Sequence, residues 1–274
     1  MSNRSSLGSK LVASPYIVWS VLFIIAPLIF VVYYSFTDAS GAFTFENITA
    51  LSKYAPTFLR SIWFGIVATL ICLVIAFPLA YFISQSTEKV QRTMVMLVML
   101  PMWMSFLIRT YSWMALLQDT GIINSVLGKI GIDPVHMINT EGAVILGMVY
   151  NFLPYMILPI YSVMAKLDYS MVEACQDLGG NRLTVIRRCI LPMSMPGIVS
   201  GITMVFVPSV STFYISQKLG GGSFDLIGDV IERQFQQSYN YNLGASLSLV
   251  LMVLILICMA VMNRFSGDEE GMVI

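Results

Sequence analysis

Side chains able to do chemistry are few, and most lack the partners a reaction needs. The one histidine, His136, cannot build a multi-histidine metal site, and Cys72, Cys175, Cys189 and Cys258 form no CxxC pair. These four thiols read as small, reduced, structural residues. No Ser/His/Asp set or paired-carboxylate arrangement stands out, and no GxxxxGK[ST] loop is present, so nucleotide binding by that route is excluded. The remaining groups are acidic and aromatic side chains that could attract or guide a cation. Asp225, Asp229 and Glu232 fall at i, i+4, i+7, one stripe of a short helix. Trp103, Tyr111, Trp113, Tyr150, Tyr155 and Tyr214 offer π faces, each worth roughly 0.5–2 kcal/mol to an ammonium. The plainer readings are a solvated acidic face with Asp229–Arg233 as an i, i+4 pair, and aromatics that pack or sit in an interfacial belt. Arg109, inside an apolar run, would repel a cation. It is expected to hold backbone carbonyls or to pair with Asp119 or Glu141.

A second cluster of signals lies in Asp168–Pro192. Ser170 and Glu173 have the S-x-x-E spacing of a capping box, which starts a helix. Met171, Ala174, Cys175 and Leu178 follow i, i+3, i+4, i+7 and give that helix an apolar face. Gly179 can end it, Asn181 can cap a second helix through Cys189, and Pro192 is placed to open the next span. A helix of about nine residues is marginal alone, since roughly 12–15 are needed. Its apolar face must bury against its own bundle, a partner, or both.

The elements that position these residues are membrane spans. Of 274 residues, 57% are apolar and only 11% charged, and the mean hydropathy is +0.79. A water-soluble domain carries roughly 25% charged residues, so the natural solvent of this chain is lipid. The formal net charge is zero, and no basic tract points to nucleic acid. Six stretches are long enough to cross about 30 Å of hydrocarbon: residues 15–36, 62–84, 93–117, 142–165, 190–215 and 243–262. The first is too long for a signal-peptide core of roughly 7–15 residues and is kept as a span. Pro27, Pro78, Pro101, Pro154, Pro159, Pro196 and Pro208 fall within the spans and predict kinks. The basic residues Arg4, Lys10, Lys89, Arg92, Lys166, Arg182, Arg187, Arg188 and Arg264 share one side, against Lys53, Arg60, Lys129, Lys218 and Arg233 on the other. By the positive-inside rule both termini are cytoplasmic, and so is Asp168–Pro192.

Two resemblances rest on these residues. Glu173-Ala174-Cys175-(x)3-Gly179 with Ile190-Leu191-Pro192 resembles the cytoplasmic signature of ABC-importer permeases, with Cys175 where the family has alanine. Leu100–Trp113 and Leu219–Phe235 resemble the spermidine/putrescine permeases of the PotB type, with Asp229 where that pattern has asparagine. The resemblance implies an all-α integral membrane protein of six transmembrane helices: one permease domain of type I ABC-importer fold with a cytoplasmic coupling helix, in a bacterial inner membrane. It implies that Ser170, Glu173, Ala174, Cys175, Asp177, Leu178, Gly179, Arg182, Leu191 and Pro192 meet an ATPase. It also implies a PotC-like second permease, two PotA-like ATPase subunits and a PotD-like extracytoplasmic polyamine-binding protein. ATP and Mg would be bound by the ATPase, with no cofactor in this chain. A permease for ferric iron, thiamine or another cation is the alternative within that architecture. A self-contained channel or secondary transporter would instead predict an inverted repeat, and none is seen.

Overall fold

The computed structural model describes residues 15–38 and 40–267. Arg4 and Lys10, which enter the orientation argument, lie outside them. Among the described residues the regular structure is helical, apart from one isolated bridge between Thr37 and Phe43. The helices are α1 (Pro15–Ser35), α2 (Ala55–Ser84), α3 (Glu88–Trp103), α4 (Phe106–Leu117), α5 (Ile122–Lys129) and α6 (Glu141–Met164). They continue as α7 (Tyr169–Asp177), α8 (Arg182–Met193), α9 (Met195–Ser211), α10 (Tyr214–Leu219), α11 (Ile227–Gln236) and α12 (Tyr241–Gly267).

Two expected spans are not single rods. The stretch at 93–117 is α3 and α4, bent by 88° across Met104 and Ser105, both of extended backbone. The stretch at 190–215 belongs to α8 and α9, bent by 68° at Ser194, and α9 ends at Ser211. Pro196 explains this second bend, because it has no N–H for the Pro192 carbonyl and its ring crowds that carbonyl. The Ser194 hydroxyl instead caps Ile190 O at 2.6 Å. Pro192 itself does not open a helix. It sits inside α8, and a wider π turn over Ile186–Ile190 carries the carbonyl of Arg188, four residues earlier, away from its ring. Pro27 in α1 is accommodated in the same way by a π turn over Val21–Ile25.

The chain divides into two compact units, one comprising residues up to Ala55 with Val230–Leu254, the other Pro56–Asp229 with the residues from Ile255 on. In the first, the Asn242 amide donates to Thr37 O at 2.6 Å and to Tyr34 O at 3.2 Å, and the Ser246 hydroxyl donates to Ser35 O at 3.1 Å. These bonds tie the last turn of α1, and Thr37 just beyond it, to the start of α12.

In the second unit, α2 buries Phe64, Ala68, Cys72, Ala76 and Ala80, one residue every fourth position. Small side chains let backbones approach, and the Cys72 thiol lies 3.8 Å from Val149 O on α6. The tightest crossing is α6 on α9, where Gly197 and Gly201 repeat the small-xxx-small spacing. A methyl on Gly197 would stand 2.8 Å from Pro159 O, and one on Gly201 2.7 Å from Met156 Sδ. Met156, Ile157 and Ile160 are buried at this crossing.

Candidate functional site

The segment after α6 folds into a closed helical corner. Asp168, rather than Ser170, is the N-cap of α7, accepting from the Ser170 N–H at 3.0 Å. The backbone N–H and hydroxyl of Ser170 together hold the exposed Asp168 carboxyl below its ordinary range. An Asx cap starting two residues earlier therefore supersedes the capping box read from Ser170 and Glu173. The C-terminus is a Schellman closure, with Gly180 N donating to Cys175 O at 3.1 Å and Gly179 N to Gln176 O at 2.8 Å. Gly179 has φ +83°, open to glycine at no steric cost. Asn181 then caps α8, accepting from Thr184 N at 2.8 Å.

The apolar face of α7 splits in two. Val172 is buried against the bundle beside half-buried Cys175. Met171, Ala174 and Leu178 stay in the open, as do Ser170, Glu173, Asp177 and Gly179. Leu178 is 90% exposed, Met171 52%, and Leu183 on α8, which the sequence pattern did not single out, 73%. Arg182, Arg187 and Arg188 are exposed around this ridge, and Leu191 and Pro192 lie exposed at the far end of α8. Apolar side chains thus stand in the open on two capped helices, rimmed by charge.

The aromatic candidates separate into four places. Tyr111 on α4 and Tyr214 on α10 meet edge to face with centroids 6.2 Å apart, and Phe106 lies 6.0 Å from Tyr214. Trp113 meets Tyr150 of α6 at 5.3 Å. Tyr155 opens onto a groove of about 530 Å³ between α6 and α9, with Ser162, Ser200 and Met204. Trp103 is exposed at the end of α3 and joins none of these groups.

The acidic stripe does not exist as a face. Asp229 is 3% exposed and accepts from Leu226 N at 2.8 Å and from the Ser216 hydroxyl at 2.9 Å. It caps the first turn of α11 and ties it to α10, while Asp225 and Glu232 are half-buried. Leu226 N–H must be satisfied at a helix start, and an acid three residues on does so; this local demand outweighs solvation of a third carboxylate. Gly221 and Gly222 turn the chain into this corner with φ +57° and +76°.

Arg109 is 7% exposed and stacks 5.9 Å above the Phe106 ring. Asp119, expected as one of its partners, instead pairs with His136 at 2.9 Å. Its Nε and Nη1 meet no acceptor among the described residues, so the expected carbonyl contacts do not form at those two atoms.

This arrangement of broken spans around a capped loop pair has known counterparts. Residues 76–266 match the family described as binding-protein-dependent transport system inner membrane component, and the chain belongs to that family of multi-pass inner-membrane permeases. Within it, the chain is 38% identical over 234 residues to the spermidine/putrescine transport system permease protein PotB of Haemophilus influenzae, covering 81% of each. It is 37% identical to the PotB of Escherichia coli K12, covering 79% of this chain and 82% of that one. The fold is similar to that of a bacterial ABC transporter that imports the acidic polysaccharide alginate, with a TM-score of 0.76, 19% identity, and coverage of 96% of this chain and 98% of the other.

Proposed function

We propose that this chain is one of two permeases of an ATP-driven importer, carrying half of the path for spermidine or putrescine. The other half would come from a PotC-like permease. Two PotA-like ATPases would bind ATP and Mg below, and a PotD-like protein would deliver substrate from outside. The substrate class is supported by similarity to permeases named for spermidine and putrescine over about four fifths of the chain.

The observation that carries the coupling role is the exposed ridge of Met171, Leu178 and Leu183 on α7 and α8. Its own bundle leaves that ridge uncovered while burying Val172 of the same helix. A groove on an ATPase fits the exposed ridge as a helix-in-groove contact. The basic residues around α7 and α8 support a cytoplasmic placement for this corner and for both termini. In this reading the open groove of α6 and α9, with Tyr155, Ser162, Ser200 and Met204, would face the second permease and the path.

The test is reconstitution. Permease pair, ATPase and binding protein are placed in proteoliposomes, and ATP-dependent uptake of radiolabelled spermidine and putrescine is measured against competing ferric iron and thiamine. Saturable polyamine uptake that the other ligands leave unaffected is the expected outcome. Uptake displaced by either competitor would move the chain to a different cargo, and uptake without the ATPase would make it a self-contained transporter.

A further inference from the structure

The Tyr111–Tyr214 pair is already occupied. Lys218 lies one helical turn beyond Tyr214 on α10, and its ammonium stands 5.6 Å from the Tyr111 ring centroid and 5.8 Å from that of Tyr214. Two tyrosines converging on one ammonium through ring and hydroxyl, with the Tyr111 hydroxyl also hydrogen-bonded to Tyr214, form an arrangement suited to alkylammonium ligands. The Tyr111 hydroxyl also faces Lys218 within hydrogen-bond reach, so hydroxyl as well as ring holds the ammonium.

The frame around it is rigid. Ile215 and Leu219 of α10 are fully buried, Ser216 is tied to Asp229, and Asn139 N donates to Leu219 O at 2.8 Å. Phe106 buttresses Tyr214, and Arg109 sits over the Phe106 ring, so one fixed cation already lies next to the cluster. The mobile member is the lysine side chain, four methylenes ending in an ammonium on a fixed helix. Chemically that is a butylammonium, the same group that ends putrescine and one arm of spermidine.

The geometry points to an alkylammonium subsite formed by Tyr111 and Tyr214, which Lys218 fills as a tethered stand-in and from which the terminal ammonium of a polyamine displaces it. This rests on the polyamine reading above. A tethered competitor acts at a high effective concentration, so it weakens the apparent affinity for free ligand without any change in the rings. Release of Lys218 also places a second positive charge beside the incoming one, which favours onward movement over tight retention. Short, strongly basic amines reach both rings and compete. A neutral or anionic solute does not.

The experiment measures equilibrium binding of radiolabelled putrescine to the purified permease–ATPase complex in nanodiscs without binding protein, together with ATP-dependent uptake by the complete importer. Lys218→Met is expected to tighten binding about fivefold, and Lys218→Arg, which keeps a cation on the rings, to leave it within about twofold of wild type. Tyr111→Leu and Tyr214→Leu weaken binding several-fold. In the Tyr111→Leu background the gain from Lys218→Met shrinks, because one of the two tyrosines it competes for is gone. Thermal unfolding of each variant checks that the frame is intact, and Tyr111→Phe, which keeps the ring and removes the hydroxyl bonded to Tyr214 and Lys218, is expected to fall between wild type and Tyr111→Leu. Unchanged or weaker putrescine binding in Lys218→Met would overturn the subsite while leaving polyamine transport standing. A wild-type importer that takes up no polyamine would refute the substrate reading and the subsite with it.

Discussion

Truncating Leu178 to alanine separates docking from folding. Its side chain is 90% exposed at the end of a helix that buries Val172 against the bundle. The truncation removes three carbons, and at about 0.8 kcal/mol per buried methylene, partial covering by an ATPase groove makes them worth about 2 kcal/mol, or about thirtyfold in affinity. Folding of the permease should be untouched, because those carbons meet solvent in the free chain. Val172→Ala makes the opposite expectation. It removes two buried carbons, lowers thermal stability by about 1–2 kcal/mol, and affects docking only through the helix. The assay immobilises the permease pair in nanodiscs and titrates the ATPase by interferometry, with thermal unfolding and transport-coupled ATP hydrolysis read on the same samples. A Leu178→Ala variant that folds normally, binds the ATPase at wild-type affinity and couples fully would refute the docking reasoning.

Further outcomes are expected elsewhere in the chain. Gly201→Val drives a side chain into Met156 Sδ, 2.7 Å from the position of the new Cβ, and should cost about 1–3 kcal/mol in thermal stability, with Gly201→Ala at the low end. Asp229→Ala strips buried Leu226 N–H and Ser216 of an acceptor and should lower stability by roughly 2–4 kcal/mol, with Asp229→Asn recovering part of the loss in the same melt. Asp168 has a depressed folded pKa, so its contribution to the α7 cap is present above the ordinary aspartate value and is lost as pH falls through the folded one. The protection factor of the Ser170 amide, taken against the intrinsic rate at each pH, should fall on acidification below about pH 4 in wild type, and should be low at every pH in Asp168→Ala.

What the sequence made legible were properties carried by composition and short-range pattern. Apolar stretches long enough for hydrocarbon, the helix stop at Gly179 and the cap at Asn181 depend on residues within a few positions of one another. The bends were less legible. Seven prolines look alike in sequence, yet Pro154 and Pro159 sit within unbroken α6 while Pro196 accompanies a 68° break, because the outcome depends on whether a π turn or a neighbour absorbs the lost hydrogen bond. The acidic stripe misled for a similar reason. Spacing put Asp225, Asp229 and Glu232 on one face, but spacing does not reveal that Leu226 N–H and Ser216 would claim Asp229. Lys218 carried a usable signal, a lysine at i+4 from a tyrosine on a helix, but the second ring comes from Tyr111, more than a hundred residues earlier, and only the fold brings it there.

The 68° bend at Ser194 has a mechanical consequence. α8 is twelve residues, about 18 Å, and runs from the capped corner to the bend, while α9 is pinned against α6 just beyond it by Gly197 and Gly201. The pair works as a bell crank with its pivot next to its anchor. Tilting α8 by about 5° about Ser194 swings the Arg182 end by about 1.6 Å, taking its length from the helical rise. A sideways push near Leu183 thus arrives at α9 as torque about a crossing too close-packed to slide, and the least costly response is for α6 and α9 to turn together as one body.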